Sequence, residues 1–177
     1  RNPKDPLFAF KNRCLVHFAV DTEQAFMTTH LEGKDTFFLP FNRGFNHGAG
    51  NPPMEGDVRT AYLWEEVLER DSLMDILARF LHLQVEEKTV VTEKGIKRHR
   101  KETLIFPRYH QLDAVRSLTQ HAKAKGSGHN YLVQHSAGSG KSNSIAWLAH
   151  RLSSLHYANN DKIFDSVVVI TYRRVLD

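Results

Sequence analysis

The residues best suited to chemistry lie in one short stretch, residues 137–142, which reads AGSGKS. Gly138 and Gly140 have no side chains that would stop backbone N–H groups from converging on phosphate oxygens. Lys141 can reach the β- and γ-phosphates of a nucleotide, and the Ser142 hydroxyl can ligate the accompanying Mg²⁺. The stretch departs from the general pattern G-x-x-x-x-G-K-[ST] at one position, because His135 stands where the first glycine is expected.

The elements around this stretch decide between a phosphate loop and an ordinary glycine-rich turn. An apolar run at 130–135 predicts a strand before it, and a second apolar run at 166–171 predicts another strand after the intervening helix. The order strand, loop, helix, strand is the start of a parallel sheet with a right-handed crossover. We therefore favour the phosphate loop. The helix would pack on the sheet through Ile145, Leu148, Ala149 and Leu152.

A second candidate lies in the segment FPRYHQLDAV, residues 106–115, upstream of the loop. It opens a helix predicted over 109–125, with Gly126 as its C-terminal stop. The Gln111 amide can donate to and accept from the edge of adenine, while Tyr109 or Phe106 can cover the ring. A glutamine on a helix surface is the ordinary alternative, and the spacing before a phosphate loop favours the functional interpretation.

The first part of the chain predicts strands at 14–20, 25–31 and 37–40, followed by a glycine-rich loop at 41–57. A loop of this length and composition is either functional or disordered. Helical periodicity follows at 62–68, and Ser72 with Asp75 resembles a capping box that opens the next helix.

Asp21, Glu32 and Lys34 have the order of a nuclease site, in which two carboxylates bind Mg²⁺ and a lysine assists the attacking water. That chemistry needs both side chains projected from a rigid strand. Because residues 32–34 fall in a predicted turn, we favour a structural turn over a nuclease site.

Residues 84–104 predict a β-hairpin around a turn at 93–95. Its second strand contains the basic run KRHRK at 97–101. A solvated hairpin arm is the ordinary interpretation of such a run, and an arm that contacts phosphates is the sharper alternative.

Composition limits the class of protein more than it identifies one. The 177 residues are 41% hydrophobic and 25% charged with a formal net charge of +4, which is compatible with an anionic partner. Cys14 is the only cysteine, so no intrachain disulfide forms, and the eleven histidines show no zinc-ligand spacing. No apolar run is long enough to span a bilayer, and the N-terminus lacks a signal-peptide pattern. These features favour a cytoplasmic protein.

Three segments of the chain, FPRYHQLDAVRSL, HSAGSGKSNSIAWLAHRL and VVVITYRRVLD, resemble the first motor domain of superfamily 2 helicase-like translocases. The similarity is closest to the restriction (motor) subunit of type I restriction–modification enzymes. The stretch FFLPFNRGFNHGAGNP is similar to the part of that subunit that joins its nuclease domain to its motor. The chain opens on Arg1 and stops after an apolar run, so we expect it to be a segment of a longer protein.

The resemblance implies an ATP-driven double-stranded DNA translocase and endonuclease that acts with methylation and specificity subunits. By this resemblance, Gln111 is the residue that contacts adenine, and residues 171–177 begin the next motor motif. In that motif Tyr172 stands in place of an aspartate found in many relatives. The residues expected to contact the nucleotide are Gln111, Tyr109, Ala137, Gly138, Ser139, Gly140, Lys141, Ser142, Asn143 and Arg43, with Ser142 also toward Mg²⁺. Those expected to contact nucleic acid are Arg173, Arg174, Lys97, Arg98 and Arg100.

The expected fold is α/β, a fragment that joins the end of a nuclease-type domain to the first part of a RecA-like parallel-sheet motor domain. The nuclease-type part would cover 1–83, the basic hairpin or linker 84–104 and the motor part 105–177. The expected function is that of a type I site-specific deoxyribonuclease motor with ATP and Mg²⁺ as cofactors. Two alternatives stay open: another nucleotide-dependent enzyme, such as a kinase or another superfamily 2 helicase, and a non-enzymatic nucleic-acid-binding module.

Overall fold

The computed structural model describes residues 2–92 and 95–170, with side chains throughout except at 88, 90–92 and 95–97. The chain divides into two compact units, Arg1–Tyr109 and His110–Asp177. Over the described residues the fold is mixed α/β, with two small antiparallel sheets and three α-helices.

The first sheet of the first unit consists of β1 (His17–Val20), β2 (Ala25–Thr28) and β3 (Leu39–Pro40). Its strands are antiparallel in the order β1-β2-β3. Each strand lies inside one of the three runs where the sequence predicts strands, so those predictions are confirmed. The pairing of Val20 with Ala25 leaves residues 21–24 as the turn between β1 and β2.

Aromatic side chains fill the core of the first unit. The Phe41 ring lies edge-on to Phe18, with centroids 5.2 Å apart, and edge-on to Tyr109 at 6.0 Å. Tyr62 is edge-on to the same tyrosine at 5.1 Å. Each such pair stabilises the fold by about 0.5–1.5 kcal/mol beyond the area it buries. The end of the first unit is therefore anchored at Tyr109, the first residue of α2.

The helical periodicity at 62–68 corresponds to a single turn of π-helix at Leu63–Val67. The N–H of Leu68 donates to the Leu63 carbonyl at 2.8 Å, which is the i→i+5 bond that defines this turn. Leu63 and Val67 face the core, whereas Trp64 and the two glutamates between them are exposed.

Helix α1 (Arg70–Arg79) begins three residues before Leu73, where the predicted cap at Ser72 would start it. The Glu69 carboxylate accepts hydrogen bonds from the N–H groups of Asp71 and Ser72, at 2.9 and 3.2 Å. Because Glu69 is the N-cap and Ser72 already lies inside the helix, the capping box predicted at Ser72 is wrong. The Ser72 hydroxyl instead donates to the Val67 carbonyl.

The hairpin predicted at 84–104 is confirmed and is slightly longer than expected. Strands β4 (His82–Thr92) and β5 (Gly95–Ile105) pair without interruption from His82 with Ile105 to Thr92 with Gly95. Two residues of the predicted turn, Glu93 and Lys94, lie outside the described residues. Over the described part of the chain, no third strand joins this pair.

Helix α2 (Tyr109–Lys125) has the bounds that the sequence predicts and continues into the second unit. It stops at Gly126, whose φ of +79° is left-handed. A Cβ at this glycine would lie only 2.5 Å from the Tyr157 hydroxyl oxygen, so the close approach also requires glycine. Helix α3 (Lys141–Ser153) follows the glycine-rich loop, as predicted.

The two strands predicted on either side of the loop and α3 are not formed over the described residues. Neither 130–135 nor 166–170 has strand structure, so the predicted parallel sheet is absent from this part of the chain. A strand needs a hydrogen-bonded neighbour, and the described residues of the second unit supply none to these runs. Leu132 and Ile170 are consequently 93% and 90% exposed.

Candidate phosphate-binding loop

Residues 136–140 form the turn that leads into α3. Gly138 and Gly140 both have left-handed backbone conformations, with φ of +74° and +81°. Residues with a Cβ adopt this region only with strain. Gly140 is the N-cap of α3, and no side chain caps that end. The first turn of α3 therefore presents the N–H groups of Lys141 and Ser142 and the positive end of the helix dipole to the space before it.

Gln111 supports the loop through a side-chain hydrogen bond. Its side chain is almost fully buried, 3% exposed for the whole residue, and its Nε2 donates to the Gly140 carbonyl at 2.8 Å. A Cβ on Gly140 would lie 2.5 Å from that nitrogen, whereas a Cβ on Gly138 would meet nothing within 4 Å. Gly140 is thus required both by its backbone conformation and by the approach of Gln111, and Gly138 by its conformation alone.

His110 is a site residue that the sequence interpretation missed. Its Nε2 donates to the Ser139 carbonyl at 3.1 Å, so the imidazole carries a proton on Nε2. Its ring is edge-on to that of His135, with centroids 4.8 Å apart. Successive residues of α2 therefore bind successive carbonyls of the loop. The available signal was the pair His110-Gln111 at the start of a helix, together with the unusual His135.

The role predicted for Gln111 toward adenine stays a prediction. In this structure its amide nitrogen is directed to the loop, and its position brings it together with the other predicted phosphate-contacting residues. Those residues are Ala137, Gly138, Ser139, Gly140, Lys141, Ser142 and Asn143, which form the loop and the first turn of α3.

The Lys141 side chain folds back across the loop. Its Nζ donates to the carbonyls of His135 and Ser136, at 3.0 and 2.7 Å. Within residues 2–92 and 95–170, no carboxylate lies within ion-pair distance of this ammonium group. Carbonyl oxygens compensate only part of a full positive charge, so the charge of Lys141 is available to an anion.

Three buried polar atoms in or beside the loop have no hydrogen-bond partner among the described residues: His135 Nδ1, Ser139 Oγ and Ser144 Oγ. Buried polar atoms are normally paired. A cavity of about 130 Å³ is lined by His135, Lys141 and Ser144 together with apolar residues of α2 and α3. Ser139 is 5% exposed. Phosphate oxygens or water molecules in the loop would supply the missing partners.

The residues present fit a metal ion that arrives with a nucleotide rather than one bound by the chain. Among the described residues there is no group of three or more His, Cys, Asp or Glu that could hold a metal. Ser142 is exposed in the first turn of α3. Its hydroxyl is the ligand that the loop offers to Mg²⁺, whose other ligands would be phosphates and water.

The glycine-rich segment 41–57 is folded onto the first sheet by two asparagines. Asn51 is buried, and its Nδ2 donates to the Glu23 carbonyl and to Asn42 Oδ1, each at 2.9 Å. Its Oδ1 accepts from the N–H of Arg43 at 2.8 Å. Of the two interpretations left open by the sequence, disorder is therefore not observed.

Arg43 is exposed and packs against two tyrosines at the edge of the aromatic core of the first unit. Its guanidinium carbon is 5.5 Å from the centroid of the Tyr62 ring and 5.7 Å from that of Tyr109, and Nη1 bonds Glu66 at 3.1 Å. Burial raises the pKa of Tyr62 to about 12. Its hydroxyl thus stays protonated and donates to the Phe41 carbonyl. The structure brings Arg43 and Tyr109 together, and their predicted nucleotide contact stays a prediction.

The nuclease-like pattern of Asp21, Glu32 and Lys34 falls on turns, as the favoured interpretation states. Glu32 precedes, and Lys34 lies within, the single 3₁₀ turn Gly33–Asp35. Asp21 follows β1, and its Oδ1 accepts hydrogen bonds from the backbone N–H groups of residues 23 and 24, both at 2.7 Å. Asp21 therefore closes the turn between β1 and β2, and none of the three residues projects from a strand.

Replacing Asp21 with asparagine should change how the stability of the first unit depends on pH. The N–H groups of Gln24 and Glu23 lower the pKa of Asp21 in the folded chain. A lowered pKa contributes stability above the unfolded value, and that contribution disappears as the pH falls through the folded value. Urea unfolding of Asp21→Asn should accordingly lose less stability in acid than unfolding of the unmodified chain. If stability to urea fell equally with pH in both proteins, the Asp21 carboxylate would not stabilise the turn as described.

The residues predicted to contact nucleic acid are only partly described. Arg98 and Arg100 are exposed on β5, and the Arg100 guanidinium bonds Glu102 at 2.9 Å. Lys97 lies on β5 as well, with a side chain outside the description. Arg173, Arg174 and the rest of the predicted motif at 171–177 lie outside the described residues.

Comparison with known proteins gives no independent assignment for this chain, since no family model, curated protein or solved structure matches it. None of the described helices is both long and apolar enough to cross a membrane.

Proposed function

We propose that the chain carries the phosphate-binding part of an ATP-driven motor that moves along double-stranded DNA. The observation that carries this proposal is the loop at 136–142, with two left-handed glycines, an uncapped helix N-terminus and a lysine that has no carboxylate partner among the described residues. Each of these features favours an anion in the loop. The buried hydroxyl of Ser139, which also lacks a partner in the described part of the chain, supports a bound triphosphate as well.

In the proposed motor, the side chains around the loop have separate tasks. Lys141 moves from the carbonyls of His135 and Ser136 to the β- and γ-phosphates, where it stabilises negative charge. Ser142 supplies its hydroxyl to Mg²⁺, which, when bound, neutralises charge on the same phosphates. His110 and Gln111 fix the orientation of the Ser139 and Gly140 carbonyls by donating hydrogen bonds to them.

The proposal also concerns the two exposed apolar runs at 130–135 and 166–170. In a RecA-like lobe these runs would be neighbouring parallel strands, with the remaining strands supplied by the rest of the protein. Their exposed apolar side chains, such as Leu132, Val168 and Ile170, support this idea because such surface is normally buried between sheet and helices. The three-stranded antiparallel sheet of the first unit would then belong to the nuclease-type part, and the β4–β5 hairpin to the linker.

The more specific assignment, to the motor subunit of a cytoplasmic type I restriction enzyme, rests on the sequence resemblance described above. It implies an endonuclease that works with methylation and specificity subunits and cleaves DNA after translocation. No cluster of nuclease residues is found among the described residues, so in this assignment the nuclease site lies in another part of the protein.

The test is ATP turnover by the intact protein that contains this chain, measured without nucleic acid and with duplex DNA, single-stranded DNA or RNA. We expect duplex DNA to stimulate turnover and RNA to have no effect. Stimulation by RNA, or phosphate transfer to a small molecule, would identify one of the other nucleotide-dependent enzymes. DNA binding without any turnover would identify a non-enzymatic binding module. The 177-residue chain alone should bind ATP weakly and hydrolyse little, and robust hydrolysis by it would contradict the proposal.

A further inference from the structure

The β4–β5 ribbon is a two-stranded sheet whose described side chains are largely open to solvent. All described residues of β4, 82–87 and 89, are exposed, and so are residues 98–101 of β5. These exposed positions include apolar ones such as Leu83 and Val85. An isolated two-stranded hairpin is at best marginally stable in water. A ribbon of eleven residues per strand with this exposure is therefore a surface suited to a partner.

The strand register separates the charges of the ribbon into two halves. In the half nearer the body of the first unit, acidic residues face basic ones, with Glu86 opposite Lys101 and Glu87 opposite Arg100. In the half nearer the turn, hereafter the distal half, Arg98 is opposite Thr89 and His99 is opposite Lys88.

Within the described part of the ribbon, no acidic residue stands opposite Arg98 or His99. Among the described residues Arg98 has no ion pair, whereas Arg100 bonds Glu102, which also pairs with Lys11. Continuing along the same register, Lys97 is opposite Val90. Among the described residues of the basic run, Arg100 is therefore ion-paired, whereas Arg98, which lies nearer the turn, is not.

We infer that the distal half of the ribbon binds the phosphate backbone of duplex DNA without reading its sequence. This inference rests on the duplex-DNA partner of the proposed function and names the surface that holds it. The shape of the ribbon favours DNA over an acidic protein surface, because a two-stranded ribbon fits the major groove. Side chains alternate between the two faces of a strand, so Arg98 shares a face of β5 with Arg100, about 7 Å away along the strand. From that face Arg98 can contact a phosphate at the edge of the groove.

The experiment is the salt dependence of duplex binding by the nucleotide-free 177-residue chain, followed by anisotropy of a labelled duplex of unrelated sequence. Each phosphate contact contributes about 0.9 to the slope of log affinity against log salt concentration. For Arg98→Ala we expect a slope smaller by about that amount. Raising salt from about 50 to 200 mM should then weaken its binding about threefold less than that of the unmodified chain.

Two comparison variants make this result specific. Arg79→Ala removes the same charge from α1, where the side chain is 66% exposed, and should leave the slope unchanged. Arg100→Ala should change the slope less than Arg98→Ala, because Arg100 is already paired with Glu102. Circular dichroism of each variant checks that the fold is intact. An unchanged slope for Arg98→Ala, an equal change for Arg79→Ala, tighter binding to RNA, or no duplex binding at all would each overturn the inference.

Failure of this inference can be told apart from failure of the proposed function. Lys141→Ala should leave the salt slope of DNA binding unchanged, while ATP binding by Arg98→Ala should equal that of the unmodified chain. A smaller salt slope of DNA binding for Arg98→Ala, in a chain that does not bind ATP, would support the ribbon inference and refute the motor. ATP binding together with an unchanged salt slope for Arg98→Ala would support the motor and refute the ribbon inference.

Discussion

Lys141→Ala is expected to weaken ATP binding by the 177-residue chain about 10- to 100-fold. Hydrogen bonds to charged groups contribute about 1.5–3 kcal/mol, and each 1.4 kcal/mol is a factor of about ten in affinity. In the intact motor the loss should be larger, about 10²- to 10³-fold in turnover, because the ammonium acts on charge that develops in the transition state. Calorimetry with ATP and a phosphate-release assay measure the two effects.

The control for this substitution is Lys125→Ala, which removes the same charge from the exposed last residue of α2. It should change neither ATP affinity nor turnover. The structure adds a reason to expect a local effect at position 141, since the only described bonds of the ammonium are to two loop carbonyls. Turnover that survives Lys141→Ala in the intact protein would refute the phosphate-loop interpretation.

The second large effect should come from the two glycines of the loop, which make a matched pair. Alanine at either position must adopt a left-handed backbone, at a cost of about 1–2 kcal/mol. Only at Gly140 does the added Cβ also meet the Gln111 amide nitrogen, at 2.5 Å. The Cβ would displace the Gln111 amide and break its hydrogen bond to the Gly140 carbonyl, which costs about 0.5–1.5 kcal/mol more. Gly140→Ala should therefore destabilise the second unit clearly more than Gly138→Ala does in urea unfolding.

A double substitution separates the two contributions. Combining Gly140→Ala with Gln111→Ala removes the clash but leaves the backbone strain, so the double variant should lose less stability than the sum of the two single variants. Gly138→Ala combined with Gln111→Ala should be additive, because a Cβ at position 138 meets nothing within 4 Å. Equal costs for the two glycines, or additivity in both pairs, would mean that Gln111 does not hold the loop as described.

Local patterns in the sequence were sufficient to predict the helices that flank the loop. The bounds of α2 were predicted because its apolar spacing and the terminating Gly126 are properties of neighbouring residues. The start of α1 was predicted wrongly because two residues could cap it. Ser72 has the commoner side chain for that position, but Glu69 caps the helix three residues earlier, through the N–H groups of Asp71 and of Ser72 itself.

Features that depend on distant residues were not accessible in the same way. The runs at 130–135 and 166–170 have the composition of strands, yet composition does not supply the hydrogen-bonded neighbour that a strand requires. The bond from His110 to the Ser139 carbonyl joins residues 29 apart in the sequence, and no short-range pattern marks it. The same holds for Gln111, which was recognised for a possible ligand contact and not for its bond to the loop.

The exposed apolar run at 166–170 also bears on how the chain behaves at high concentration. It reads SVVVI, without charge or proline, and such windows are prone to associate edge to edge as intermolecular β-structure. Val168 and Ile170 have most of their surface open, so this hazard exists in the folded chain and not only during folding. In the proposed motor lobe, the neighbouring strands would act as an intramolecular shield, and colloidal stability would then depend on the complete sheet.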